Sequence, residues 1–133
     1  MSDDPSAVID ASALLAYIFD EPGGGRLPRL AGDLPVISSV NWSEVVQKAL
    51  QAGVAADAVR TACEEAGVGV IPFSVSQAEQ AARLWAQTHS LGLSLSDRAC
   101  LALAIETRAP ALTADRTWGS VAVKDLQVKV LDR

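Results

Sequence analysis

Ala7-Val8-Ile9-Asp10-Ala11-Ser12-Ala13-Leu14-Leu15-Ala16-Tyr17-Ile18-Phe19 decides how the chain is read. Ala7-Val8-Ile9 has the character of a short buried strand, and Ser12 to Phe19 continues with helical apolar spacing until Glu21-Pro22-Gly23-Gly24-Gly25 breaks it. That is one βα unit, and the pattern recurs along the chain. Part of Gly25 to Ala31 is an expected second helix, its start weakened by the glycines at roughly 1 kcal/mol each relative to alanine. Val36-Ile37-Ser38 is the next strand, and Asn41 to Leu50 the next helix, with Trp42, Val45, Val46, Ala49 and Leu50 in register and Gly53 ending it. Ala55 to Ala66 predicts a helix, Val68 to Phe73 a β-type run, and Ser76 to Thr88 one helix with Ala78, Ala82 and Trp85 on its buried stripe.

Ser94 to Thr107 differs from the other helices, because Ala99-Cys100-Leu101-Ala102-Leu103-Ala104-Ile105 is apolar all round. Such a helix belongs in the middle of the molecule. Arg108-Ala109-Pro110 stops it, Ala111-Leu112-Thr113 resumes as a strand, a short helix covers Arg116 to Val121, and Val128 to Leu131 is a last edge strand. Alternating strand and helix with short connections implies the α/β class: a parallel sheet with helices on both faces, in three layers. No repeat, low-complexity tract or linker divides the 133 residues, so one domain spanning 1–133 is expected.

Composition narrows the chemistry. Eleven Lys and Arg stand against 16 Asp and Glu, a net charge of −5, which argues against bulk coating of nucleic acid. The longest apolar runs are too short to cross a bilayer, and Met1-Ser2-Asp3-Asp4-Pro5 is acidic where a secretory leader is basic, so a cytoplasmic chain away from membranes is expected. Cys63 and Cys100 fall within helical apolar patterns and read as buried thiols. With His89 the only histidine, a histidine-rich zinc site is excluded and a Ser-His-Asp triad would have to use that residue. Carboxylates must carry any catalysis.

In an open parallel sheet the ligand crevice lies beyond the carboxyl ends of the strands. Asp10 ends the first strand, Glu44 lies in the first turn of the helix after Val36-Ile37, Asp97 in the first turn of the apolar helix, and Asp115 ends Leu112-Thr113-Ala114. Each also has a local explanation. Asp10 and Asp115 are suited to cap helices, and Asn41-x-x-Glu44 and Ser94-x-x-Asp97 have capping-box spacing, each interaction stabilising a helix by about 1 kcal/mol. Together they pose a different problem: four ionised carboxylates about 6 Å apart at an effective dielectric near 20 repel by about 3 kcal/mol per pair, a sum comparable to a domain's whole stability. Separation, protonation or a cation must relieve it. An oxygen-only ligand set selects Mg²⁺ or Mn²⁺, ions that share their remaining positions with phosphate, which outlines a phosphodiester hydrolysis site.

The motifs resemble those of the PIN-domain nucleases, most closely the VapC-type toxins of bacterial toxin–antitoxin pairs. Val8-Ile9-Asp10-Ala11-Ser12-Ala13-Leu14-Leu15-Ala16 with Glu21-Pro22-Gly23 is similar to the family's opening. Ile37-Ser38-Ser39-Val40-Asn41-Trp42-Ser43-Glu44-Val45 resembles its second motif, Leu95-Ser96-Asp97-Arg98-Ala99-Cys100-Leu101-Ala102-Leu103-Ala104 its third, and Leu112-Thr113-Ala114-Asp115-Arg116-Thr117-Trp118 its fourth. The resemblance implies a five-stranded parallel sheet and a Mg²⁺-dependent endoribonuclease, with Asp10, Glu44, Asp97 and Asp115 holding the metal. It further implies a homodimer and a cognate VapB-type antitoxin that blocks the site. Ser12 and Thr113 stand where such proteins often carry hydroxyls near the carboxylates; ordinary strand-end and cap chemistry is the alternative. Many relatives carry a further acid after the fourth motif, where this chain has Arg116-Thr117-Trp118, leaving open whether one ion or two bind.

Arg98 and Arg116 follow proposed ligands and Lys48 lies one turn beyond Glu44, so these are the candidate RNA-backbone contacts; the alternatives are surface salt bridges and an i,i+4 pair with Glu44. Trp42 and Trp118 are candidates to stack on a base or line an antitoxin groove, with the core the expected place of Trp85 and the favoured one for Trp42. Two other classes compete. A receiver-like signalling domain needs an Asp after the third strand, where Ile71-Pro72-Phe73-Ser74 stands, and a non-catalytic binding module would use its acids only as caps.

Overall fold

The computed structural model describes residues 4–131. Met1, Ser2, Asp3 and Asp132, which entered the reading of the amino terminus and of surface acids, lie outside the described residues. The strands are β1 (Ala7–Ile9), β2 (Pro35–Ser38), β3 (Gly69–Ile71), β4 (Ala111–Thr113) and β5 (Val128–Val130). The α-helices are α1 (Ala11–Ile18), α2 (Leu27–Ala31), α3 (Ser39–Gln51), α4 (Ala56–Glu65), α5 (Val75–Arg83), α6 (Trp85–Thr88) and α7 (Leu95–Thr107), with 3₁₀ turns at Gly24–Arg26, His89–Leu91 and Arg116–Ser120. All strand pairs are parallel, in the order β3-β2-β1-β4-β5. That order differs from the 2-1-3-4-5 order of receiver-type sheets, and it puts the topological switch point between β1 and β4.

Two cores sandwich the sheet. Ala7, Ile9, Ile37 and Leu112 face α1, α2, α3 and α4, whereas Val8, Val36 and Ala111 face α5 and α7, as the two-residue period of a strand requires. Helix α7 buries Ala99 through Ala104 without a break, which explains its all-round apolar sequence. Cys63 and Cys100 are buried free thiols, as expected.

Four local expectations fail. Helix α3 begins at Ser39 with Ser38 as its cap, accepting from the Val40 N–H, so Asn41 and Glu44 form no capping box. The single helix expected over Ser76 to Thr88 is α5 and α6, joined at Leu84, where the Gln87 N–H bonds the Leu84 carbonyl and tightens the turn. Its buried stripe is Gln77, Ala81, Leu84 and Thr88, one position from the expected Ala78, Ala82 and Trp85. Gln77 is polar yet buried, its Nε2 donating to Glu106 at 2.6 Å, and that masked the true stripe. Trp85 is 54% exposed and stacks on His89 with ring centroids 4.2 Å apart, so it is not a core residue.

Candidate active site

The switch point opens beside Asp10. This residue leaves β1 in an extended conformation and caps α1, its Oδ1 accepting from the Ala13 N–H at 3.0 Å. The Ser12 hydroxyl lies 2.8 and 3.0 Å from the two carboxylate oxygens, and the Thr113 hydroxyl donates to Oδ2 at 2.9 Å. The backbone N–H of Ala114 donates to the Ser12 oxygen and that of Asp115 to the Thr113 oxygen, both at 3.0 Å. With their oxygens accepting from backbone, both hydroxyls have their protons free to point at Asp10. The two hydroxyls thus tie the end of β1 to the end of β4 through Asp10.

Asp10 is only 3% exposed, and burial pushes its carboxyl up to about 7; bonds from Ala13, Ser12 and Thr113 oppose the rise and the charge of Asp97 adds to it. Asp97 is raised as well, chiefly by burial, against hydrogen bonds from Ser94 and with the charges of Glu44 and Asp115 adding to the rise. Burial, followed by the charges of Asp10 and Asp97, holds the Cys100 thiol well above its ordinary range. Asp97 thus lies within electrostatic reach of Asp10, Glu44 and Asp115.

Each acid is also partnered locally. Ser94 and Asp97 form the expected capping box, with the Ser94 N–H donating to Asp97 Oδ2 at 2.9 Å. Asp115 caps the last 3₁₀ turn through the Thr117 N–H, also at 2.9 Å. Glu44 accepts from the Ser96 hydroxyl at 3.1 Å and lies 3.7 Å from Lys48 Nζ.

Whether these residues suit a divalent cation turns on the donor atoms. Asp97 and Asp115 each keep one oxygen outside any hydrogen bond among the described residues, and every donor is a hard oxygen. Asp10, burdened by burial and a neighbouring anion, gains from any positive charge, proton or metal, placed beside it. The chemistry therefore suits Mg²⁺ or Mn²⁺. The arrangement does not yet enclose one: among the described residues no three Asp, Glu, His or Cys side chains stand as a metal-holding group.

Two further residues bear on the site: Asn41, which the sequence offered only as a helix cap, and Ser96, which it did not single out. Asn41 is buried on the 41-45-49 stripe of α3, where a polar residue among apolar ones is the available signal; its Nδ2 donates to the Ser96 carbonyl at 2.9 Å and its Oδ1 has no hydrogen-bond partner among the described residues. It fastens α3 to the start of α7, and so Glu44 to Asp97. Of the basic candidates, Lys48 pairs with Glu44, and Arg116 is exposed with no ion pair among the described residues. Arg98 is committed to α5 through the Ala81 carbonyl at 3.0 Å, which is neither of its two expected roles. Trp118 is wholly buried, so it stacks on no base, while Trp42 packs partly buried against the α1–α4 core.

The sequence model described as PIN domain matches residues 7–124, nearly the whole chain and all four acidic positions. The chain belongs to the PIN domain family. Solved structures share its fold at low identity. DNA-bound VapBC from Salmonella typhimurium aligns at a TM-score of 0.73 and 14% identity, over 96% of this chain and 98% of that one. Mycobacterium tuberculosis VapC20, described as a sarcin-ricin loop cleaving toxin, gives 0.71 and 16% over 92% and 99%. A toxin–antitoxin complex from Klebsiella pneumoniae gives 0.69 and 21% over 91% and 95%. No curated protein matches the chain. In this PIN domain the matched region ends before β5, so the site lies entirely within it. No helix among the described residues is long and apolar enough to cross a membrane.

Proposed function

We propose that this PIN domain, taken as one unit over 1–133, is an endoribonuclease and the toxin of a VapBC-type pair. The observation that supports this most is buried Asp10 at the β1/β4 switch point within electrostatic reach of Asp97, which Glu44 and Asp115 in turn influence. Asp10, Glu44, Asp97 and Asp115 would hold Mg²⁺, with Mn²⁺ an equivalent, and the bound ion would supply a water of lowered pKa and neutralise charge on the phosphoryl oxygens. The rest falls to the chain's own residues. Ser12 and Thr113 keep the Asp10 carboxylate in one orientation, the Ser94 N–H does the same for Asp97, and Asn41 holds the two helices that carry Glu44 and Asp97 in register. The Glu44–Lys48 pair, both partly exposed, is worth about 0.3–0.5 kcal/mol, so Lys48 is readily released to a phosphate. Arg116 is the second backbone contact; Arg98 is left out because α5 holds it.

The structural neighbours described as VapBC or toxin–antitoxin complexes support a VapB-type antitoxin as partner. The reading includes a homodimer working in the cytoplasm without a membrane. An anionic pocket offers an antitoxin arginine a charge-assisted contact in place of the ion. The test is RNA cleavage by purified protein with Mg²⁺: Asp97→Asn should abolish it with the circular dichroism spectrum unchanged, and undiminished cleavage would refute the assignment. A non-catalytic reading has one observation in its favour, the caps made by Asp10, Asp97 and Asp115. It predicts no cleavage by the wild-type chain and no saturable Mg²⁺ uptake.

A further inference from the structure

The geometry points to the crevice between α1 and α3 as the subsite for one unpaired RNA base beside the cut, and to guanine as the base it selects. This rests on the ribonuclease reading and adds what the site chooses. The crevice has a volume of about 430 Å³ and is lined by Ser12, Leu15, Phe19, Glu21, Lys48 and Ala114. Its inner wall adjoins the acidic site: Ser12 donates to Asp10, and Ala114, whose N–H donates to Ser12, directly precedes Asp115. A group seated there is therefore the immediate neighbour of a phosphate at the carboxylates.

The lining has the makeup of a base pocket. Phe19, just past α1, is 38% exposed, a large ring left at the surface beside Leu15. Unpaired bases are recognised by stacking on such rings together with hydrogen bonds to their Watson–Crick edges. Lys48 lines the same crevice and supplies a cation for the flanking phosphate.

Glu21 decides the base. An anion on the wall of a site for a polyanion is unfavourable unless it meets hydrogen-bond donors, and the Glu21 carboxylate has no hydrogen bond or ion pair among the described residues. Guanine alone presents two adjacent donors, N1–H and the N2 amino group, on its Watson–Crick edge; adenine, cytosine and uracil each set an acceptor beside their donor. Two carboxylate oxygens match the guanine pattern. The placement of Glu21 belongs to the fold: its N–H donates to the Ala16 carbonyl at 2.8 Å, and its own carbonyl accepts from the Gly24 N–H at 2.9 Å. Any Cβ at Gly24 would collide with the Ala16 carbonyl, so only glycine permits this approach.

The test compares kcat/KM for short unstructured RNAs, cut with Mg²⁺ or Mn²⁺, in which the guanine flanking the cut is replaced by inosine, adenine or uracil. Wild type should prefer guanine to inosine, which lacks the N2 amino group, by about tenfold, and Glu21→Gln should bring that ratio near unity. Phe19→Ala should lower kcat/KM for every RNA by about tenfold while the guanine-to-inosine ratio persists. Cleavage by wild type without guanine dependence, or a dependence that survives Glu21→Gln, would overturn the subsite and leave the crevice to an arginine-bearing peptide. Failure of the wild-type chain to cut any RNA would instead bring down the ribonuclease reading, and this subsite with it.

Discussion

Asp10 and Glu44 both stand at the carboxyl edge of the sheet, and they are held in opposite ways. Asp10 is buried, fixed by one backbone N–H and two hydroxyls whose own oxygens are anchored by Ala114 and Asp115. Glu44 is about one-third exposed and rests on a single hydroxyl and a 3.7 Å contact with Lys48. One carboxylate is positioned before any ligand arrives; the other is free to adjust. The difference follows from where each leaves the backbone. Asp10 follows a central strand and is buried, whereas Glu44 lies in the second turn of α3 and is about one-third exposed.

If that contrast is right, the fixed side should dominate every measurement. The largest effect is expected from Asp10→Asn, which should lower RNA cleavage by roughly a thousandfold or more, about 4 kcal/mol of barrier. Thermal unfolding of the same variant should show stability at pH 7.5 unchanged or increased. Second comes pH. Asp10 titrates near 7 when folded against an ordinary 3.8, so the folded state holds the extra proton between those values. Its contribution is therefore most favourable below about pH 4 and is lost as pH rises to 7, by up to about 4 kcal/mol. Denaturant unfolding of wild type and Asp10→Asn across pH 4–8 should diverge in that window; parallel curves would remove the buried, strained Asp10 from the account.

Smaller effects separate the supporting groups. Thr113→Val deletes one hydroxyl from Asp10 and leaves the Asp115 N–H without its acceptor, so a stability loss of about 1–3 kcal/mol and a fall in cleavage of about 10–100-fold are expected, measured by calorimetric scanning and initial rates. Lys48→Ala is the smallest: stability within about 0.5 kcal/mol of wild type, and the salt dependence of RNA binding shallower by about one counterion. A larger effect at Lys48 than at Thr113 would invert the comparison.

The same contrast explains what could be read from the sequence. The βα rhythm, the parallel sheet and the central α7 were legible because strand and helix periods are written in runs of apolar residues, Val8-Ile9 and Ala99 to Ala104 above all. Asp10, Asp97 and Asp115 were legible because they follow strands or open helices, whereas Glu44, expected in a first turn, lies in the second turn of α3. Misreadings arose where a buried residue was polar or an exposed one aromatic. Gln77, buried with its amide hydrogen-bonded to Glu106, shifted the stripe of α5 by one position, and Trp85 lies outside on His89. Asn41 was mistaken for a cap because helix starts are fixed by backbone geometry that Ser38 satisfies first. Arg98 reached a backbone carbonyl on another helix, a tertiary contact that no local spacing encodes. Whether the acids close on one ion also lay beyond the motifs, since rotamers set by Ser94, Ser96 and Lys48 decide it.

The most direct test is calorimetric titration of Mn²⁺ into the purified chain at pH 7.5, set beside Asp97→Asn and the control Asp57→Asn on exposed α4. Saturable binding is expected in wild type and in the control, and its loss in Asp97→Asn. Equal uptake by all three proteins, or none by any, would contradict a shared cation as the reason these acids meet.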